Sequence, residues 1–251
     1  MTPQTLGTKR KCGLALACLG LLPALAIADP GYYVVTPYSQ PGQLSLDARY
    51  WTVKPPDEEA VLWPEIGLRY GLNSRWTSEL LLSYIGTSGG DKKLSSTNWQ
   101  NSFLLTQGQQ AFDLALHAQL IRNHNPGGKN STALEFGPTL QTEWGLTQLN
   151  FNVFLDHDWG KSKGTQMKYQ WQALRRLQAG LRLGVQGFGE LGNWADWTAA
   201  DRQSHRAGPT LRWALPLGNA DQGLELQMAY LWGKVYGSQA EMFSAQLLYK
   251  F

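Results

Sequence analysis

The sequence predicts an all-β protein, a transmembrane antiparallel up-and-down β-barrel of about twelve strands. Three observations carry that expectation. From residue 44 onward the chain is a succession of segments in which apolar and polar residues alternate, the period of a strand with one dry and one wet face. The connections between these segments read alternately long and short. Aromatic residues gather near segment ends. Charged residues make up 16% of the chain, aromatics 12%, and Trp alone numbers 11. The mean hydropathy is −0.33. Beyond the N-terminal stretch no apolar run approaches a spanning helix, so a helical membrane protein is excluded.

The final segment shows the pattern most clearly. Phe243, Ala245, Leu247, Tyr249 and Phe251 alternate with Ser244, Gln246 and Lys250. An amphipathic strand ending on Phe resembles the C-terminal signal of bacterial outer-membrane barrels. The resemblance implies that Phe243, Leu247, Tyr249 and Phe251 are read by the barrel-assembly machinery.

The earlier segments follow the same rule. Leu44 to Tyr50 sets its apolar residues against Ser45, Asp47 and Arg49. Leu62 to Tyr70 opposes Glu65, Gly67 and Arg69. Leu80, Leu82 and Tyr84 oppose Glu79, Leu81 and Ser83. Trp99, Phe103 and Leu105 mark the fourth segment, and Phe112 to Leu120, against Asp113, His117 and Gln119, the fifth. The second half continues with stripes through Leu134 to Trp144, Phe151 to Leu155, Met167 to Ala173, Leu181 to Val185, Leu211 to Leu215 and Leu224 to Trp232. Opposite them lie, among others, Glu135, Glu143, Asp156, Lys168, Arg182, Arg212 and Glu225.

The N-terminus reads as a cleaved signal peptide, residues 1–28. Lys9, Arg10 and Lys11 precede an apolar run from Cys12 to Leu25, and Ala26-Ile27-Ala28 supplies the small-x-small cleavage pattern. The run falls short of the roughly 20 residues a spanning helix needs. Residues 29–43, with Pro30, Pro37 and Pro41, form an irregular lead-in expected on the periplasmic side, and residues 44–251 form the barrel. Cleavage removes both cysteines, Cys12 and Cys18, so no disulfide and no Cys-based metal site is expected. It also removes three positive charges, taking the formal +3 to zero. That balance excludes a nucleic-acid partner, which wants a basic surplus.

The long connections are Val53 to Ala60, Gly86 to Thr97, Asn123 to Ser131, Trp159 to Gln166 and Glu190 to Ser204. The short ones lie at Asn73-Ser74, Gly108, Gly145 and Arg175-Arg176, with Gly218 to Gln222 shorter than its neighbours. Short periplasmic turns and long extracellular loops account for this order. Tyr50, Trp51, Tyr70, Trp76, Tyr84, Trp99, Trp144, Trp159, Trp232, Tyr249 and Phe251 read as two interfacial girdles.

Pro64-Glu65-Ile66-Gly67-Leu68-Arg69-Tyr70-Gly71-Leu72, then Arg75-Trp76-Thr77-Ser78-Glu79-Leu80, resembles a pattern in a proteobacterial family of outer-membrane barrels. Relatives there carry labels such as transporter or phenol-degradation pathway (MetA-like) protein. Val35-Thr36-Pro37-Tyr38 is similar to the start of such proteins. The resemblance implies a fold and a compartment, and no substrate.

The wet faces would line the lumen, which makes Arg49, Glu65, Arg69, Glu79, Asp113, Glu135, Arg182, Arg212 and Glu225 candidates for a charged constriction. The bland alternative is a salt-bridge network that fills and stiffens a narrow barrel. If the second hairpin pairs about Leu72, Glu65 stands opposite Glu79, with Arg69 or Arg49 bridging the two carboxylates. Near the rim, Asp156, His157, Asp158, Ser204 and His205 raise a lipid-hydrolase alternative, but no local motif supports an enzyme. No cofactor and no metal is expected. The expected function is a narrow passive channel or facilitator for small molecules. The alternative is a closed barrel acting through its extracellular loops. Expected partners are outer-membrane lipids and lipopolysaccharide, the assembly machinery and a small solute.

Overall fold

The computed structural model describes residues 33–125, 128–162, 164–218, 222–235 and 238–251. The expected signal peptide, residues 1–28, lies outside them. The strands are β1 (Leu44–Lys54), β2 (Val61–Gly71), β3 (Trp76–Thr87), β4 (Lys93–Leu104), β5 (Asp113–Asn123), β6 (Ser131–Trp144), β7 (Thr147–Asp158), β8 (Gln166–Gln178), β9 (Leu181–Asn193), β10 (Asp196–Trp197), β11 (Ser204–Pro216), β12 (Gly223–Val235) and β13 (Ser238–Lys250). Among the described residues there is no helix.

Each long strand pairs antiparallel with its neighbours in sequence, and β13 pairs with β1. β9 pairs with both β8 and β11, while β10 is a two-residue addition folded back on β9. The result is a closed twelve-stranded barrel. Closure removes the free edge that an open sheet would expose. It also lets every strand find backbone partners without water, the condition for crossing hydrocarbon.

All twelve expected segments are strands, and several run further than the alternation suggested. β3 and β4 extend to Thr87 and from Lys93, so the connection between them is only 88–92. Arg175 and Arg176 remain in β8, and the reversal falls at 179–180. β9 continues past Val185 through Gly187 and Gly189, where missing side chains interrupted the pattern. Call the end that holds Leu44 and Lys250 the terminal end, and the other the loop end. The terminal-end connection 105–112 is longer than expected, and the loop-end connection 236–237 is short.

One repeated device interrupts the ladders of the wall. Gly137-Pro138-Thr139-Leu140 in β6 and Gly208-Pro209-Thr210-Leu211 in β11 share the same four residues. Proline cannot donate to a ladder. The ladder accordingly skips residues 137–138 between β6 and β7 and residues 208–209 between β11 and β12. A Cβ on Gly137 would stand 1.9 Å from the Val153 carbonyl oxygen, and one on Gly208 1.9 Å from that of Tyr230. The neighbouring strand thus crosses each glycine at a distance no side chain permits.

The outside is apolar. Ile66, Leu68, Leu80, Leu116, Phe136 and Phe151 are exposed, while Asp47, Gln119, Glu135 and Asn152 are wholly buried on the inward faces. Most of the expected girdle rings point outward, with Trp144 the most exposed at 82%. Trp51 does not. It faces inward, 2% exposed, stacked on Trp63 with ring centroids 4.0 Å apart and planes 7° from parallel. Both belong to an apolar cluster with Val34, Val53, Leu231, Val235 and Met242 that fills part of the lumen toward the loop end.

Two predictions follow from this wall. Gly208→Ala must push β12 away, and overpacking of this kind costs about 1–3 kcal/mol. The loss is read as a lower urea midpoint for the barrel in lipid. In the loops, Glu59 accepts hydrogen bonds from the Ser88 hydroxyl (2.7 Å) and the Gly89 N–H (2.9 Å). These bonds hold its carboxyl below the ordinary glutamate value. A depressed folded value means the clamp is in place above the ordinary pKa and lost as pH falls through the folded one. The Gly89 amide resonance should follow that titration and stop doing so in Glu59→Gln.

Candidate functional site

The alternation that sends apolar residues outward sends charge inward. A charged side chain taken out of water must be matched by partners. The largest such group spans β1, β2 and β3. Arg49 Nη2 lies 2.8 Å from Asp47 Oδ2 and 2.8 Å from Glu79 Oε2. Arg69 Nη2 reaches the same two oxygens at 2.8 and 3.1 Å. Glu65 sits 4.0 Å from Arg49 Nη1 and accepts from the Ser83 hydroxyl. Gln246 donates to Asp47 at 2.8 Å.

This group corrects the expected pairing of the second hairpin. Glu65 stands opposite Ser83, and Glu79 stands opposite Arg69. The Asn73 carboxamide oxygen accepts from the Arg75 and Trp76 amides at 2.8 and 2.9 Å, which places the turn at 72–75 rather than about Leu72. Arg49 does lie between the Glu65 and Glu79 carboxylates, at 4.0 and 2.8 Å, as expected, while Arg69 joins Asp47 and Glu79.

The other candidates are dispersed. Glu135 belongs to a second group on β6–β8, where Lys168 Nζ lies 3.5 Å from it and 2.8 Å from Asp156. At the terminal end Arg182 pairs with Glu143 (3.1 Å), and Arg212 with Glu225 (2.7 Å), which Lys250 approaches at 3.9 Å. Asp113 lies at the same rim and accepts from the Tyr38 hydroxyl at 2.7 Å.

Two features went unread in the sequence. The first is a set of lumenal amides. Gln100 donates to Gln119 (3.1 Å), Gln172 and Gln227 both donate to Gln186 (2.8 and 3.1 Å), and Asn150 donates to Gln141 (2.8 Å). Their alternation with apolar residues was visible, but uncharged side chains gave no reason to single them out.

The second feature is the lead-in. Its described part, residues 33–43, enters the barrel from the terminal end instead of lying outside it. The Tyr33 hydroxyl donates to Gln100 at 2.8 Å, and its ring lies 3.6 Å from the Arg49 guanidinium carbon. The Val35 N–H donates to Gln170 at 3.2 Å, and its carbonyl accepts from Asn152 at 2.9 Å. Tyr33 and Val35 pack on Phe154, and Val34 on the Trp51 cluster. The three apolar residues in a segment expected in water were the available signal.

At the terminal end the lumen opens into a basin of about 730 Å3, bounded inward by Thr36 and Tyr38. Alongside residues 33–36 the free space shrinks to about 60 Å3. The rim residues raised for a hydrolase do not assemble. Asp156 and Asp158 are buried inward, whereas His157 bonds to Thr165 and His205 to Tyr169 and Gln203. Among the described residues no His/Cys/Asp/Glu group could hold a metal ion.

Fold and lumen together define a closed barrel of the porin-like type. Its solved structural neighbours include the COG4313 outer membrane channel from Pseudomonas putida F1, with a TM-score of 0.61 at 14% identity, covering 90% of this chain and all of that one. NanC porin matches with a TM-score of 0.56 at 12% identity over 82% of this chain and all of its own, and KdgM porin with 0.54 at 7% over 82% and 99%. At such identities the likeness is one of fold. No family model matches the chain, and no curated protein matches it either, so the MetA-like resemblance finds no support in sequence.

Arg49 is the keystone of the buried charges. Removing one partner of a buried ion pair strands the other, at a cost of about 3–5 kcal/mol. Arg49→Met should therefore destabilise the barrel by that order, read from the temperature at which its folded band disappears on a gel. Arg182→Met, whose partner Glu143 is half in solvent, should cost less than about 1 kcal/mol.

Proposed function

We propose that the chain is a narrow outer-membrane channel for small molecules, closed midway by its own N-terminal segment. The observation that carries this is that residues 33–36 stand inside the barrel, with a basin of about 730 Å3 on one side and a separate cavity of only about 60 Å3 beside them. A structural barrel has no need of a solvated basin ending on a separable stretch of chain. Most of the segment's polar anchors to the wall are neutral hydrogen bonds, each worth about 0.5–1.5 kcal/mol net. No covalent link among the described residues fixes it there.

The membrane setting rests on the apolar exterior, on the fold shared with outer-membrane channels and on the export signal read in the sequence. On this reading the terminal end faces the periplasm. The outer residues of β13, Phe243, Leu247 and Tyr249, together with Phe251, present the face the assembly machinery reads. Lipids and lipopolysaccharide cover the belt. The separated rim histidines favour no hydrolase, so the reading is non-enzymatic.

The test is planar-bilayer conductance of the full chain and of a variant with residues 33–38 replaced by Gly and Ser. The full chain should give small, intermittent currents, and the variant a several-fold larger steady one. Silence from both would remove the channel and leave a closed barrel that acts through its loops.

A further inference from the structure

Within that channel reading, we infer that the terminal-end basin is a binding site for a small organic anion carrying two or more carboxylates. The argument starts from register. On β8 Arg176 stands opposite Arg182 of β9, and Arg182 stands opposite Arg212 of β11. All three line the basin. Three arginines therefore follow one another across three adjacent strands, their backbones at the strand spacing of about 4.8 Å. Like charges directly opposite one another destabilise a sheet. A wall that served only to close the barrel would not place them so.

The protein matches part of this charge and leaves part open. Glu143 pairs with Arg182, and Glu225 with Arg212 and, more distantly, Lys250. Arg176 pairs with no carboxylate among the described residues, and it is exposed to the basin. Arg69, also on the lining, is already held by Asp47 and Glu79. The basin thus offers Arg176, Arg182, Arg212 and Lys250 against two carboxylates.

The row decides the ligand class. A guanidinium fork matches the two oxygens of a carboxylate, and such charge-assisted pairs are the stronger hydrogen bonds. A single-centre anion engages one fork at a time. A molecule with carboxylates a few bonds apart can engage more than one arginine of the basin together, because all three open onto the same volume. The volume of about 730 Å3 falls within the usual range of small-molecule sites. A neutral solute gains nothing from the surplus charge.

The test is calorimetric titration of citrate, inorganic phosphate and glucose into the detergent-solubilised full chain at low salt. Citrate should bind at least about tenfold more tightly than phosphate, and glucose not at all. Losing a hydrogen bond to a charged group weakens binding by about tenfold or more, so Arg176→Gln should do this to citrate, with Arg176→Lys between it and the parent. Arg182→Gln gives the same direction from the middle of the row. Arg176 is exposed and Arg182 partly buried at the rim, and an unchanged folded band confirms an intact barrel. Citrate no tighter than phosphate, or unaffected by Arg176→Gln, overturns the inference. Calorimetry needs no current, so a silent barrel that binds citrate would sink the channel and spare the site. A conducting barrel indifferent to citrate would do the reverse.

Discussion

A wall that is apolar outside leaves charge one place to go, and every other feature of this barrel follows from that. The lumen is too narrow to hydrate what it receives. Asp47, Gln119 and Glu135 are fully buried although they line the inside of a cylinder. The interior must therefore find partners for its polar groups among its own side chains, and it does so in part by sharing them. Two arginines serve two carboxylate oxygens jointly in the β1–β3 group, so each charge is held by more than one partner. The same logic accounts for the amides, which donate and accept at once and can be chained around the wall.

Toward the loop end part of the lumen is filled by apolar side chains, which is unusual only if the interior is thought of as a pore. Trp51, Trp63, Leu231 and Met242 face inward and form a dry core on one side toward the loop end. They carry the consequence of a small strand number: the inside of a narrow barrel is a place to pack. That is why Trp51 could not be placed from its neighbours. Tyr50 and Trp51 are adjacent, so one of them had to point inward, and both were counted with the girdle.

The strands were legible because a period of two needs only the chain itself. Register was not, and the second hairpin shows why. Sliding one strand by an even number of residues keeps every side chain on its own face, so the alternation that reveals β2 and β3 says nothing about whether Glu65 meets Glu79 or Ser83. The Asn73 side chain capping the Arg75 and Trp76 amides decides it. Charged site residues were legible as inward-facing, but their grouping depends on register and curvature. Glu135 and Glu79, similar in pattern, therefore end in separate clusters. The sequence pattern puts Arg176 in a turn, and only the reversal at 179–180 sets it in line with Arg182 and Arg212.

The lead-in is legible only through its three apolar residues, for a different reason. Prolines marked it as irregular, and irregular backbone must have its polar groups met wherever it goes. Inside a barrel that demand is met by side chains alone, here Gln170 and Asn152 on either side of Val35. On the channel reading proposed above, the geometry leaves this segment one way out. Toward the loop end Val34 abuts the Trp51 cluster. At its other end residue 44 is already fixed in β1 at the terminal end. Withdrawal must then pass through the basin, the space that a bound anion would occupy against Thr36 and Tyr38. On that reading, a solute seated on the arginine row and the segment in motion would compete for one volume.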